Sequence, residues 1–292
     1  MCHIFLLKLK MEKLLILFLS VIFSPSYSQT QGEQSQPFDC NNKAFRDSLV
    51  SKYLEKKAHQ ISYNDPKFQL YCDSVLLVCP NVAYAYQQKS MPYMKGGNFE
   101  KGMKFLNKAV EIDPEKYMDY RAFMKCIFTK DYKGAIEDFE KAEKINPNKF
   151  VMDHSYPFYK GISYLGSGNF KKAEIEMLKD IELQTKNDTS ITAHFNSYLY
   201  LGIVYLEMQE FAKAESFFVK SLDQHESLPE ANYYLASCLE RKDKPRAKIF
   251  LEKAKKTIQN GQSMNEDNQL YANYPFQISL FEINQELLEL NN

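Results

Sequence analysis

GNFEKGMKFLNKAVEIDP, Gly97 to Pro114, is the stretch whose reading decides the fold. A glycine turn leads into an amphipathic helix, and a proline closes it. Variants recur at Lys130–Pro147 (KDYKGAIEDFEKAEKINP), from Gly168 (GNFKKAEIEMLKDIEL) and from Gln209 (QEFAKAESFFVKSLDQ). A weaker copy runs from Lys242 (KDKPRAKIFLEKAKKTI). Aligned on Gly97, small residues fall at Gly102, Ala135, Ala173, Ala214 and Ala247. A bulkier residue follows at Leu106, Phe139, Met177, Phe218 and Leu251, and then come Ala109, Ala142, Asp180, Ser221 and Ala254. Steps of about four and three residues put these positions on one helical face. Small residues let helices approach, and the large one fills the space between them. No unit can bury that face alone, so neighbours must stack into an array.

Outward from the repeats, composition is that of an ordinary water-facing chain: 292 residues, 45% hydrophobic and 25% charged. Thirty-seven basic and 37 acidic side chains cancel, which argues against a nucleic-acid partner held by bulk electrostatics. Aromatic content is unusual, with 20 Tyr and 21 Phe but no Trp. At the N-terminus, Lys8, Lys10 and Lys13 precede an apolar run from Leu14 to Phe23, followed by small residues. Residues 1–28 read as a secretory signal peptide, with translation starting at Met1 or Met11. The alternative is an uncleaved anchor over residues 11–28, which would be the chain's one link to a membrane. Residues 29–43 read as a flexible polar leader and 44–81 as a degenerate first helix pair. The repeat array follows over 82–259, and then a turn and a capping helix over 260–292. Within the array, Pro92 is expected to kink its helix, and Gln184–Thr192 to form a loop that divides the stack. The apolar positions between Tyr271 and Leu288 predict a last helix. It would either cap the array or occupy its groove. The Cys spacings do not suggest a disulfide framework, and Cys72, Cys126 and Cys238 read as buried small hydrophobes.

Helix A of three units carries a small residue followed three later by an aromatic, Ser90/Tyr93, Gly161/Tyr164 and Gly202/Tyr205, and the last carries Ala236/Leu239. With Ala173/Met177, Ala214/Phe218 and the closing Pro114 and Pro147, this pattern resembles the tetratricopeptide repeat. The resemblance covers roughly Val82 to Ile258, and the layout is similar to exported repeat proteins of Bacteroidetes-type bacteria. It implies an all-α solenoid of five to six antiparallel helix pairs. Asp180 stands where the family has Ala, and Lys89 where it has Leu. The family's concave face comes from helix A, which implies a partner-binding groove of Tyr84, Phe158, Tyr159, Ile162, Leu199, Tyr200, Ile203, Tyr233 and Tyr234. Relatives that grip the acidic tails of heat-shock chaperones use Lys, Asn and Arg there; an aromatic groove suits an apolar or amphipathic peptide segment instead.

Catalytic and metal signatures are lacking at the level of motif. None of His59, His154, His194 and His225 has a Cys or carboxylate at ligand spacing, and no phosphate loop or nucleophile elbow stands out. The expectation is therefore a non-catalytic protein-interaction scaffold without cofactor or metal, periplasmic or at the cell surface. The alternatives are a permanent subunit of an envelope assembly, or a glycan-binding module or enzyme using the same aromatic groove.

Overall fold

The computed structural model describes residues 39–186, 192–264 and 266–291. The expected signal peptide, most of the leader and the middle of the Gln184–Thr192 insertion lie outside the described residues. The first pair is α1 (Lys43–Val50), which runs on into a π-turn, and α2 (Pro66–Val78). Five further pairs follow. They are α3 (Ala83–Lys95) with α4 (Phe99–Ile112), α5 (Pro114–Met124) with α6 (Tyr132–Ile145), and α7 (Tyr156–Gly166) with α8 (Phe170–Thr185). Then come α9 (Phe195–Glu207) with α10 (Phe211–Gln224), and α11 (Pro229–Leu239) with α12 (Lys244–Gln259). A final helix, α13 (Leu280–Asn291), packs on α12. Each helix packs on its predecessor and successor, so the all-α solenoid stands as expected.

Local chemistry sets the helix ends. Asn98, Asp131, Asn169 and Asp243 each cap a second helix by accepting a backbone N–H of its first turn. The turn between the paired helices needs one left-handed residue. Gly97 and Gly168 supply it at φ +78° and +74°, while Lys130 and Gln209 adopt it without being glycine. Asp113 closes α4 and caps α5, so Pro114 does more than end a helix: it occupies the first position of the next one, where a missing N–H costs nothing. Pro92 is accommodated inside α3, which continues to Lys95.

The small-to-large interlock is physical. A Cβ added at Gly202 would lie 2.6 Å from the Phe218 ring, and one at Gly161 2.7 Å from Met177 Cε. Ala135, Ala173, Ala214 and Ala247 are fully buried beneath the neighbouring helices. One continuous hydrophobic core runs from Ala83 to Leu287. The stack is not divided at Gln184–Thr192: α8 continues through Gln184 and packs on α9. Gln184 binds the Asp180 carboxylate and Ser197 at 2.9 Å each and accepts the His194 amide at 2.7 Å. The core changes instead near the N-terminus, where Leu49 to Ala85 form a second cluster and Tyr84 packs against both.

Three corrections to the sequence reading follow. Cys40 and Cys79 form a disulfide with a Cα separation of 5.4 Å. Linear spacing could not show it, because the helix pair brings the ends of a 39-residue separation together. Cys72, Cys126 and Cys238 are free and buried. The gap before α7 holds a two-stranded hairpin, β1 (Phe150–Val151) and β2 (His154–Ser155), with Val151 opposite His154. Finally, the apolar run from Tyr271 is helical only from Leu280; before that, Pro275 and the left-handed Phe276 (φ +62°) form a turn, closed by the Gln277 amide donating to the Tyr274 carbonyl at 3.1 Å.

Candidate functional site

The family resemblance assigns the concave face to the first helix of each pair, here α3, α5, α7, α9 and α11. Its two halves differ. Over α7 and α9 it is closed: Phe158, Tyr159, Ile162, Leu199, Tyr200 and Ile203 are fully buried. The cover is the chain's own segment between α12 and α13, residues 262–279. Within it, Met264, Glu266, Tyr274, Pro275 and Ile278 are buried.

This strap is held largely by its main chain. The Tyr200 hydroxyl donates to the Pro275 carbonyl at 2.9 Å, and the Tyr234 hydroxyl to the Phe276 carbonyl at 2.8 Å. The Lys130 ammonium donates to the Asn273 carbonyl. One side chain is anchored deeply: Glu266 takes a 2.8 Å contact from His154 Nε2 and a 2.6 Å hydrogen bond from Asn196 Nδ2. His154 in turn stacks on Phe158, with centroids 3.8 Å apart. Tyr233 reaches the cap, donating to Glu286 of α13 at 3.2 Å. Of the nine groove residues expected from the sequence, six therefore form closed core, Tyr233 and Tyr234 hold the C-terminal segment, and Tyr84 stands apart in a partly open site. His154, Glu266, Asn196 and Lys130 were missed, because nothing in a repeat pattern links residues as distant as 154 and 266.

Electrostatics mark the same boundary. Glu230, in the first turn of α11, is fully buried, and among the described residues no hydrogen bond closes on either carboxylate oxygen. Burial pushes its pKa up to about 7, against an opposing pull from its own backbone amide and those of Met264 and Ile278 in the strap. Burial also lowers Lys130 to about 8. The Tyr159 and Tyr200 hydroxyls are pushed well above their usual range, mainly by burial. Asp180 explains its own departure from the repeat pattern. It is fully buried and accepts from Ser155 Oγ at 2.7 Å and Ser197 Oγ at 2.6 Å, tying the starts of α7 and α9 to α8. Lys89, the other departure, pairs with Asp73 on α2.

The N-terminal half is open. A cleft of 340 Å³ is bordered by Tyr84, Gln87, Lys116, Tyr120, Phe150 and Met152. A second, of 630 Å³, lies between the first helix pair and α5, and Tyr84, Lys116 and Tyr117 border both. The Lys116 ammonium sits 5.7 Å from the Tyr84 ring centroid and 5.4 Å from that of Tyr117. Phe150 and Met152, on the hairpin, are 47% and 46% exposed, so the rim offers apolar contact next to a cation and hydroxyls. As for metal chemistry, Glu240, Glu286 and Glu289 bring carboxylate oxygens within 4.8 Å of one another at the cap. Burial and the neighbouring Glu240 raise Glu286, and Tyr233 engages it; an acidic surface cluster of this kind is not by itself a metal centre.

The tetratricopeptide repeat family model matches residues 83–116 and 126–149. The type IV pilus assembly protein PilF of Pseudomonas aeruginosa is 27% identical over 157 residues, 53% of this chain and 58% of that protein. The chain thus spans little more than half the length of this curated relative. Among solved structures, PilW, a type IV pilus biogenesis factor, superimposes with a TM-score of 0.58 at 15% identity, covering 75% of this chain and 95% of that one. A tetratricopeptide repeat protein from Parabacteroides merdae gives 0.51 at 17% identity, covering 88% and 86%. At these identities the structural likeness shows the fold alone. The family match over residues 83–116 and 126–149, the repeat interlock and the paired helices agree on a helical-repeat solenoid that carries tetratricopeptide repeats in its N-terminal half.

Proposed function

We propose that this protein is a non-catalytic scaffold of a bacterial cell envelope that binds an apolar or amphipathic segment of a partner protein on its concave face. The observation that carries the reading is the division of that face. Over α7, α9 and α11 it already holds a non-helical stretch of chain, through aromatic side chains and hydroxyl donors. Over α3 and α5 the same face continues uncovered around Tyr84. A partner segment laid along Tyr84, Gln87 and the Phe150–Met152 hairpin would contact tyrosine rings, which combine area with a polar tip. Groove recognition of this kind needs few charges. The remaining groove residues expected from the sequence join this site as its closed extension.

An envelope location is supported by the Cys40–Cys79 disulfide, since such bonds persist in oxidising compartments. The names of the pilus-assembly relatives point the same way. Among the described residues no helix is long and apolar enough to cross a membrane. A second reading, a permanent subunit, is favoured by apolar side chains left exposed on successive second helices: Ile175 at 53%, Val219 at 41% and Ile249 at 64%.

The test is a crosslinking pull-down from the native envelope with the wild-type chain and a Tyr84→Ala/Met152→Ala variant. One partner captured by the wild type and lost with the variant supports the concave site. Equal capture by both chains refutes it, and a shared loss on altering Ile175 and Ile249 favours the subunit reading.

A further inference from the structure

We propose that residues 262–279 are a displaceable internal occupant of the concave groove, standing where a partner segment with a carboxylate ahead of an aromatic–proline turn binds. The inference rests on the scaffold reading and adds the regulation of the same face.

The strap behaves as a ligand in how it is held. Its only regular structure is a short 3-10 turn, Asp267–Leu270. Its carbonyls at Asn273, Pro275 and Phe276 are satisfied by groove side chains, Lys130, Tyr200 and Tyr234, rather than by a helix or sheet of its own. Donors that read main-chain carbonyls accept any chain whose backbone can take the same turn, as in other modes of peptide capture. Specificity comes from the buried seat of Glu266 between His154 and Asn196, and from the apolar floor under Tyr274 and Pro275. These contacts define the partner chemistry, a carboxylate followed along the chain by Tyr-Pro or a close equivalent.

The strap also fits imperfectly. Glu230 faces it with both oxygens lacking a closed hydrogen bond, and the buried Tyr159 hydroxyl lacks one as well. Cores that never open seldom leave such groups. Phe276 sits at φ +62°, unfavourable for a bulky side chain. The strap's tip lies at the surface: Leu270 is 80% exposed and Tyr271 41%, with the Lys95 ammonium 4.4 Å from the Tyr271 ring. Both ends are pinned, by Gly261 at φ +77° after α12 and by Ser279, whose amide donates to Glu282 at the start of α13 at 2.9 Å. The strap can therefore lift as a loop while the cap helix stays on α12. The exposed tip gives an incoming chain its first contact.

The experiment uses the full chain and a fluorescent synthetic peptide with the sequence Gln262 to Ser279. Glu266→Gln in the chain weakens the resident strap at its buried anchor, and the peptide retains the native Glu. The peptide should bind this variant at least ten-fold more tightly than wild type, and Tyr200→Phe/Tyr234→Phe should abolish the gain. Equal affinity for wild type and variant, or no binding by either while circular dichroism shows both folded, overturns the proposal. Lys130→Met removes a strap contact at the groove's edge and is read by the same criteria should Glu266→Gln fold poorly. Capture of a partner through Tyr84 is measured separately, so failure of the scaffold reading and failure of the strap exchange are distinguishable.

Discussion

Replacing Glu230 by Gln should stabilise the protein at pH 8 and leave it unchanged at pH 5. Glu230 is fully buried, and burial raises its pKa from 4.5 to about 7. The folded chain therefore keeps a proton that the unfolded chain gives up between those values. Because the folded pKa is the higher one, the contribution to stability is fully present below pH 4.5. It declines as pH rises through the window and is lost above about 7. The loss is on the order of 3 kcal/mol at about 1.4 kcal/mol per pH unit. The residue has no exposed surface, so solvent screening does not reduce it. Gln keeps the shape and never ionises. Thermal unfolding followed by circular dichroism should give matching curves at pH 5. At pH 8 the variant should melt higher by roughly 6–12 °C, taking about 2–4 °C per kcal/mol for a chain of this size. Every other ionisable group is common to both proteins and cancels in the difference. Coincident curves at pH 8, or a variant less stable at both pH values, would mean that Glu230 is a well-bonded carboxylate and that the strap seals tightly against α11.

Three further outcomes are expected. Gly202→Ala should destabilise by about 1–3 kcal/mol, because its Cβ meets the buried Phe218 ring, whereas Gly161→Ala should cost less because Met177 can bend away; equal melting points would contradict the interlock. Asp180→Ala restores the repeat pattern yet should cost about 2–3 kcal/mol by leaving Ser155, Ser197 and Gln184 without their acceptor, measured by urea unfolding. Cys40→Ser/Cys79→Ser should loosen the first helix pair by about 2–4 kcal/mol, seen as faster amide exchange in α1 and α2 with α9 unaffected, since the two cores are separate.

What the sequence made legible was whatever repeats. Gly102, Ala135, Ala173, Ala214 and Ala247 recur at one offset because each lies under a neighbouring helix, and each is buried. Asp180 broke that pattern visibly, and the structure supplies the reason in its three donors. The strap left no comparable trace. A segment built of turns has no helical period, and its apolar residues Tyr274 and Ile278 read as part of the helix that begins only at Leu280. Tyr-Pro-Phe at 274–276 was the available signal against helix. Contacts that depend on the finished solenoid, Cys40 with Cys79 and His154 with Glu266, could be found only once the helices were placed. Most of the groove positions carried over from the family are buried, so their accessibility depends on the segment that covers them.

The most direct measurement is photo-crosslinking in the native envelope. A benzoyl-phenylalanine would replace, one at a time, Tyr84 and Phe150 on the concave face and Ile175 and Ile249 on the opposite helices. A binding scaffold of the kind proposed here gives one shared crosslinked partner from positions 84 and 150 and none from 175 and 249. A partner trapped only from positions 175 and 249 would contradict the account and move the functional surface to the outer helices.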